Sequence, residues 1–262
     1  MIRRFFVTLI ALLTLAYLVL PLVVILGSSV TTTPFLSFPP QGASLKWYAT
    51  MLHEPGYVSA YATSTMLATS ATALAMLLAV PAAIALARYE YAGKRSVHAL
   101  LSAPMVLPHI VLAAALLQFG GSFGLVRNFP SLLVGHVVIV MPFILQSVMP
   151  LFTSGQLALE EASADLGATR LETFFLVTLP QIRPGLVAGA VIAFITSWIN
   201  VEMSIFNTTA ELNTIPVKLF NYVQYTIDPT IAAVSGATIV AAAIAILVLD
   251  LSIGLGMLDE TP

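Results

Sequence analysis

Four ionisable side chains, His109, His136, Glu202 and Asp250, stand inside long apolar runs. At the centre of a bilayer such a group costs at least about 2.5 kcal/mol, so it faces a cavity, a partner chain or a hydrogen-bonding neighbour. The chemistry open to them is narrow: a carboxylate can hold a cation or a proton, and an imidazole can relay a proton. Glu202 lies in WINVEMS with Trp198, Asn200 and, one turn on, Phe206. An acid, an amide and two aromatic faces within helical reach are residue types that can receive an amine. His109 follows Pro108, where the missing backbone N–H bends a helix and frees a carbonyl. His136, near the outer end of its run, reads as a hydrogen-bonded contact between helices. Asp250, near the inner end of the last run, reads as a carboxylate reaching the headgroups.

Enzymatic chemistry finds little support. No G-x-x-x-x-G-K-[ST] loop is present, so the chain has no phosphate cradle with which to hydrolyse ATP, and Gly120, Gly121 and Gly124 make an outer turn instead. Ser235-Gly236 and His136 suggest an intramembrane serine protease, but Ala233 breaks the G-x-S-G frame. With no cysteine there is neither a disulfide framework nor a thiolate metal site. A net charge of -2 makes no electrostatic case for nucleic acid.

These residues must be positioned by membrane-spanning helices. The 262 residues are 59% hydrophobic and 8% charged, where about 25% charge is usual for a soluble domain. Stretches long enough to cross a core of about 30 Å at 1.5 Å per residue predict an all-α, polytopic protein with six spans. They are Phe5–Leu26, Tyr61–Leu86, Leu100–Phe119, Ser131–Phe152, Leu186–Phe206 and Ile231–Leu249. The opening MIRR and its apolar run are too long for a cleaved signal and read as a retained anchor. With both termini cytoplasmic, Arg3, Arg4, Arg88, Lys94, Arg95, Arg170 and Arg183 fall inside, and Lys46, Arg127 and Lys218 outside. Seven against three obeys the positive-inside rule. Bends are expected at Pro81, Pro104, Pro108 and Pro142. The expected organisation is an N-terminal helix and outer segment over residues 1–59, then a core over 60–262 with a cytoplasmic loop at about 155–182.

That loop contains EEASADLGATRLETFFLVTLP, which carries four of the twelve acidic residues. Leu159, Ala162 and Leu166 recur at helical spacing, with Glu160, Glu161 and Asp165 elsewhere on the wheel. Gly167 ends this helix by taking the left-handed conformation. Thr169-x-x-Glu172 has the form of a capping box, opening a second short helix with an apolar face of Leu171, Phe174, Phe175 and Thr178 that Pro180 closes. The residues alone fit an interfacial amphipathic linker and a docking site for another protein equally well.

The pattern resembles E-A-A-x3-G-x9-I-x-L-P of the permease subunits of binding-protein-dependent ABC importers. Glu161-Ala162-Ser163, Gly167, Val177 and Leu179-Pro180 match it in order and spacing, with Ser163 for the second alanine and Val177 for isoleucine. Ala87-Arg88-Tyr89 with Gly93-Lys94 and Pro104-Met-Val-Leu-Pro108 are similar to the same permeases. Ile215-Pro216-Val217-Lys218 and Asp228-Pro229-Thr230-Ile231-Ala232-Ala233 are most similar to the smaller permease of spermidine/putrescine-type systems.

The resemblance implies that Glu160, Glu161, Ala162, Ser163, Asp165, Gly167, Ala168, Thr169, Arg170, Leu179 and Pro180 form a coupling loop seated on a cytoplasmic ATPase. It implies two nucleotide-binding subunits carrying ATP and Mg, a second and non-identical permease, an extracytoplasmic solute-binding protein, and a bacterial-type inner membrane. This chain would bind no cofactor and contribute half of a pathway for a small solute such as a polyamine or another amine or amino-acid-like compound, past His109, Trp198, Asn200 and Glu202. The polyamine subgroup tends to carry acids aligned with Ile199 and Asn200, so this carboxylate is displaced by about 200° around a helix. From other classes, an ion-coupled secondary transporter would use Glu202, His109 and Asp250 for protons, and a membrane scaffold would transport nothing. Trp47, Tyr48, Tyr57, Phe220, Tyr222 and Tyr225 predict an outer aromatic belt, some of it able to face the binding protein.

Overall fold

The computed structural model describes the backbone of residues 2–253 and the side chains of residues 4–244. Among the described residues there are helices and no strands. In chain order they are α1 (Ile2–Ser29), α2 (Lys46–His53), α3 (Pro55–Arg88), α4 (Lys94–Ser102), α5 (His109–Gly121), α6 (Phe129–Val148), α7 (Ser154–Asp165), α8 (Arg170–Thr173), α9 (Leu179–Trp198), α10 (Ile215–Val223) and α11 (Pro229–Ile253). Four described helices are long and apolar enough to cross a membrane: Arg4–Ser29, Pro55–Arg88, Phe129–Leu151 and Arg170–Trp198.

The expected third span differs from a single rod. Lys94–Met105 and His109–Gly121 form two pieces bent by 107°. Pro104 lies in the 3₁₀ turn Ala103–Met105, and Pro108 is the N-cap of α5 with an extended ψ of 122°. Two prolines four residues apart remove two donors, and the second pushes Leu107 away from helical geometry. The helices containing Pro81 and Pro142 instead run on through them.

The fifth span also ends early. Helix α9 stops at Trp198 rather than running to Phe206. The Asn200 carboxamide accepts a hydrogen bond from the Met203 N–H at 2.7 Å, a local bond that competes with the helix ladder.

The chain divides into two compact units, Met1–Val58 with Leu219–Pro262, and Ser59–Lys218. In the first, α11 packs on α1 and α2. The side chains of α1 from Phe5 to Val23 that are large and apolar are almost all exposed, as suits a helix bathed in lipid. Its inner contacts come at the end, where Ser29 shares a hydrogen bond with the Tyr48 hydroxyl at 2.8 Å. Nearby the Trp47 indole donates to the Thr31 carbonyl at 2.9 Å. The Tyr222 hydroxyl donates to Asp228 at 2.8 Å, and the other Asp228 oxygen caps the start of α11 at the Thr230 N–H.

In the second unit an alanine every fourth residue of α3 (Ala71, Ala75, Ala79, Ala83) is fully buried. That stripe lets α3 approach Val137, Val140, Ile144 and Val148 of α6 and Ile182, Leu186 and Ala193 of α9 in one core. Helices α6 and α9 meet closely at Gly185, where a methyl group would collide with the Ser147 carbonyl oxygen and come within 2.7 Å of Leu151 Cδ1. This core holds the loop and the polar residues described next.

Candidate functional site

Two places in the Ser59–Lys218 unit gather the residues singled out above. The first is the loop after α6. Helix α7 starts with Thr153 accepting from the Gln156 N–H and runs to Asp165. Gly167 follows with φ 88°. Its N–H donates to the Ala164 carbonyl at 2.9 Å, and the Ala168 N–H donates to the Ser163 carbonyl at 3.1 Å. This is a Schellman closure, and it needs a residue with φ > 0. The predicted capping box is present in both directions at Thr169 and Glu172, the Thr169 N–H donating to the carboxylate at 2.7 Å. Ser163, the departure from alanine, shares a hydrogen bond with Thr173 at 3.1 Å and so ties α7 to α8.

Pro180 does not close the second helix. Residues Phe174–Thr178 form a π-turn, after which α9 begins with Pro180 in its first turn. The wider turn accommodates a residue with no N–H, so the chain continues helical from Arg170 to Trp198. The second half of the loop is therefore the first part of a helix long and apolar enough to cross a membrane. No irregular chain interrupts the helical path from Arg170 to Trp198.

The orientation of α7 is the reverse of an amphipathic helix lying apolar face down on its own protein. Leu159 is 56% exposed and Leu166 is 89% exposed, whereas Gln156 and Glu160 are buried. Leu171, Phe175 and Leu176 continue the outward apolar surface, while Glu161, Ala162, Asp165 and Arg170 lie around it, also exposed. Periodicity gave the stripe but not its direction. What turns it is Arg88, at the end of α3. Arg88 pairs with Glu160, and the Thr178 hydroxyl, wholly buried, donates to the same carboxylate oxygen at 2.5 Å. Arg88 also donates to Thr178 at 3.3 Å and lies over the Phe152 ring at 5.7 Å. A cavity of about 180 Å³ beside the pair is lined by Arg88, Phe152, Gln156 and Glu160 among others.

The second place is where the broken third span meets the end of α9. His109, the first residue of α5, has Nδ1 3.3 Å from the Asn200 carboxamide nitrogen and 3.7 Å from a Glu202 carboxylate oxygen. The structure thus brings together three of the four residues expected along a pathway, His109 from the start of α5 and Asn200 and Glu202 from the turn that follows α9. Glu202 is not on the helix but in the turn after it, its side chain 55% exposed. Trp198 is directed elsewhere: its indole N–H donates to Thr65 at 3.3 Å and its ring lies 5.8 Å from that of Tyr61. His136 is 1% exposed and holds both ring nitrogens against hydroxyls, Ser197 at 2.8 Å and Ser204 at 3.0 Å, a contact that pins α6 to the end of α9. The Asp250 side chain lies outside those described. Among the described residues, no group of His, Cys, Asp and Glu could hold a metal ion.

Residues 75–257 match the family described as binding-protein-dependent transport system inner membrane component. The chain is 29% identical over 220 residues to the spermidine/putrescine transport system permease protein PotC of Escherichia coli K12, covering 84% of this chain and 83% of that one. It is 27% identical over 212 residues to the putrescine transport system permease protein PotI of the same strain, covering 78% and 75%. A crystal structure of a bacterial ABC transporter involved in import of the acidic polysaccharide alginate contains a chain that superposes with a TM-score of 0.69 at 18% identity, covering 95% of this chain and 96% of that one; this likeness concerns the fold. A family match over this much of the chain, together with the loop geometry, leads to one conclusion: the chain belongs to the binding-protein-dependent inner-membrane components, the permease subunits of ABC importers.

Proposed function

We propose that this permease forms half of an ATP-driven translocation pathway for a small solute delivered by an extracytoplasmic binding protein. The observation that carries the reading is the α7–Gly167–α8 loop, which turns an apolar face of Leu159, Leu166, Leu171 and Phe175 away from its own core and runs without interruption into α9. Such a face suits a groove on a cytoplasmic ATPase, of which two copies would serve this chain and a second, non-identical permease. Closure of those subunits around ATP and Mg would draw on α7 and α8, and α9 would carry the movement towards the outer half of the membrane. On this reading the chain crosses six times, the α4–α5 pair counting as a broken third crossing, with both termini in the cytoplasm.

The polar meeting of His109, Asn200 and Glu202 at a helix break supports a place on the solute's path, since irregular backbone at membrane depth is tolerated where it lines a cavity or is covered by protein. The exposed carboxylate favours a solute bearing a positive group, in keeping with the polyamines named for PotC and PotI. The fold does not decide this, because a chain of the same fold belongs to an importer of an acidic polysaccharide.

The reading is tested in proteoliposomes holding the permease pair with its ATPase. Uptake of the solute presented by the binding protein should require enclosed ATP and should persist when the proton gradient is collapsed. Uptake that survives removal of ATP while a proton gradient remains would assign the chain to ion-coupled transport instead.

A further inference from the structure

We infer that Glu160 acts inside the loop, as a pin that fastens α7 to both spans it must move, while its neighbour Glu161 remains at the surface. The inference rests on the coupling role proposed above and says how the loop's displacement is shared. Glu160 is 8% exposed and receives two donors from two different spans, Arg88 from the end of α3 and Thr178 from the π-turn that opens α9. Arg88 and Thr178 are themselves joined at 3.3 Å, which closes a three-membered network. One carboxylate therefore links α3, the loop and the start of α9.

A lone carboxylate buried to this extent would be strongly unfavourable, so Glu160 is held by its donors, and removing Arg88 would leave it buried and uncompensated. The π-turn has a part here. It lets Pro180 follow without a break, and it stands where Thr178 brings its hydroxyl to Glu160. Without the pin, α7 would still be joined to α8 through Ser163 and Thr173, and the exposed docking face would remain. What would be lost is the rigid link to α3, so that nucleotide closure would move the loop while α3 lagged behind.

The chain has no cysteine, which makes a two-label distance measurement direct. Tyr89→Cys just after α3 and Leu157→Cys on α7 are both exposed positions, at 59% and 48%, and neither belongs to the docking face proposed above. Spin labels there are compared in the complex with its ATPase, without nucleotide and with ATP plus vanadate. In the otherwise native chain the distance should stay narrow and unchanged between the two conditions, because α3 and α7 move as one body. In Glu160→Gln and in Thr178→Val the ATPase should remain bound, but adding nucleotide should shift or broaden the distance; Thr178→Ser, which keeps the hydroxyl, should restore the native result.

The proposal is overturned if the native chain itself shows the nucleotide-dependent change, or if Glu160→Gln and Thr178→Val behave like the native chain. It is also overturned if Glu160→Gln releases the ATPase, since that would place Glu160 at the interface. Thr178→Val keeps the ion pair and so gives a result even if Glu160→Gln folds poorly. Should the native chain fail to bind any ATPase, the coupling role falls by itself. The nucleotide-free distances still decide the pin, which then requires a narrow distribution that the two variants broaden.

Discussion

Replacing Gly167 isolates the contribution of one backbone turn to docking. Its φ of 88° is a conformation that L side chains rarely adopt, and a Cβ there would meet nothing within 4 Å. The cost of a side chain is therefore conformational and not steric crowding against a neighbour. A left-handed residue other than glycine costs about 1–2 kcal/mol, asparagine least, and a β-branched residue lies at the unfavourable end. With about 2 kcal/mol charged against the docked shape of the loop, the competent population falls roughly 30-fold. The series Gly167→Asn, Gly167→Ala and Gly167→Val should lower ATPase affinity in that order, with asparagine close to the native chain. Membrane insertion and yield should be unaffected, because the turn lies outside the helical core. The assay is titration of the purified permease pair in detergent with its ATPase. Equal affinity for the valine and native chains, or an equal loss for asparagine and valine, would refute the claim that the left-handed turn sets the docking geometry.

Three further outcomes are expected. Glu202→Gln should abolish most uptake of an amine-bearing solute while the permease pair and its ATPase stay assembled and continue basal ATP hydrolysis; unchanged uptake would remove Glu202 from the path. Gly185→Ala should destabilise the α6–α9 contact by about 1–3 kcal/mol through overpacking, seen as a lower melting temperature in detergent, and a native melting temperature would contradict the close approach. Burial, followed by the hydrogen bond to Asp228, pushes the Tyr222 hydroxyl up from 10.0 to about 12. The folded state therefore favours the protonated phenol, and this contribution is intact below pH 10 and lost as pH rises towards 12. Thermal unfolding of the native chain should weaken more steeply over that interval than that of Tyr222→Phe, and superimposable curves would count against the assignment.

Local signals in the chain were readable where the physics is local. Gly167 and the Thr169–Glu172 box are set by neighbours within a few residues, and both are present in the structure. The long apolar helices follow from composition alone. Features set by distant partners were not readable. Leu159, Ala162 and Leu166 mark a stripe, but which way it faces is decided by Arg88, 72 residues from Glu160, and no periodicity reports that pairing. The carboxylate of Glu202 finds the imidazole of His109 across a helix break that the proline pair permits. Pro180 misled for a related reason: the rule that proline ends a helix assumes an α-helical turn before it, and a π-turn stands there instead. One local feature also escaped the apolar pattern: α9 stops at Trp198, where the Met203 N–H donates to the Asn200 carboxamide oxygen in competition with the helix ladder, although the stretch is apolar enough to continue.

The most direct test of the coupling claim places a single cysteine at Leu166, the 89% exposed residue at the tip of α7, and a control cysteine at Phe123, 66% exposed in the loop after α5. Both are probed in the assembled complex with a short cross-linker and a water-soluble maleimide. The account predicts that Leu166→Cys cross-links to the ATPase subunit and is shielded from the maleimide on assembly, while Phe123→Cys does neither. A Leu166→Cys chain that stays fully reactive in the assembled complex and forms no cross-link would contradict it.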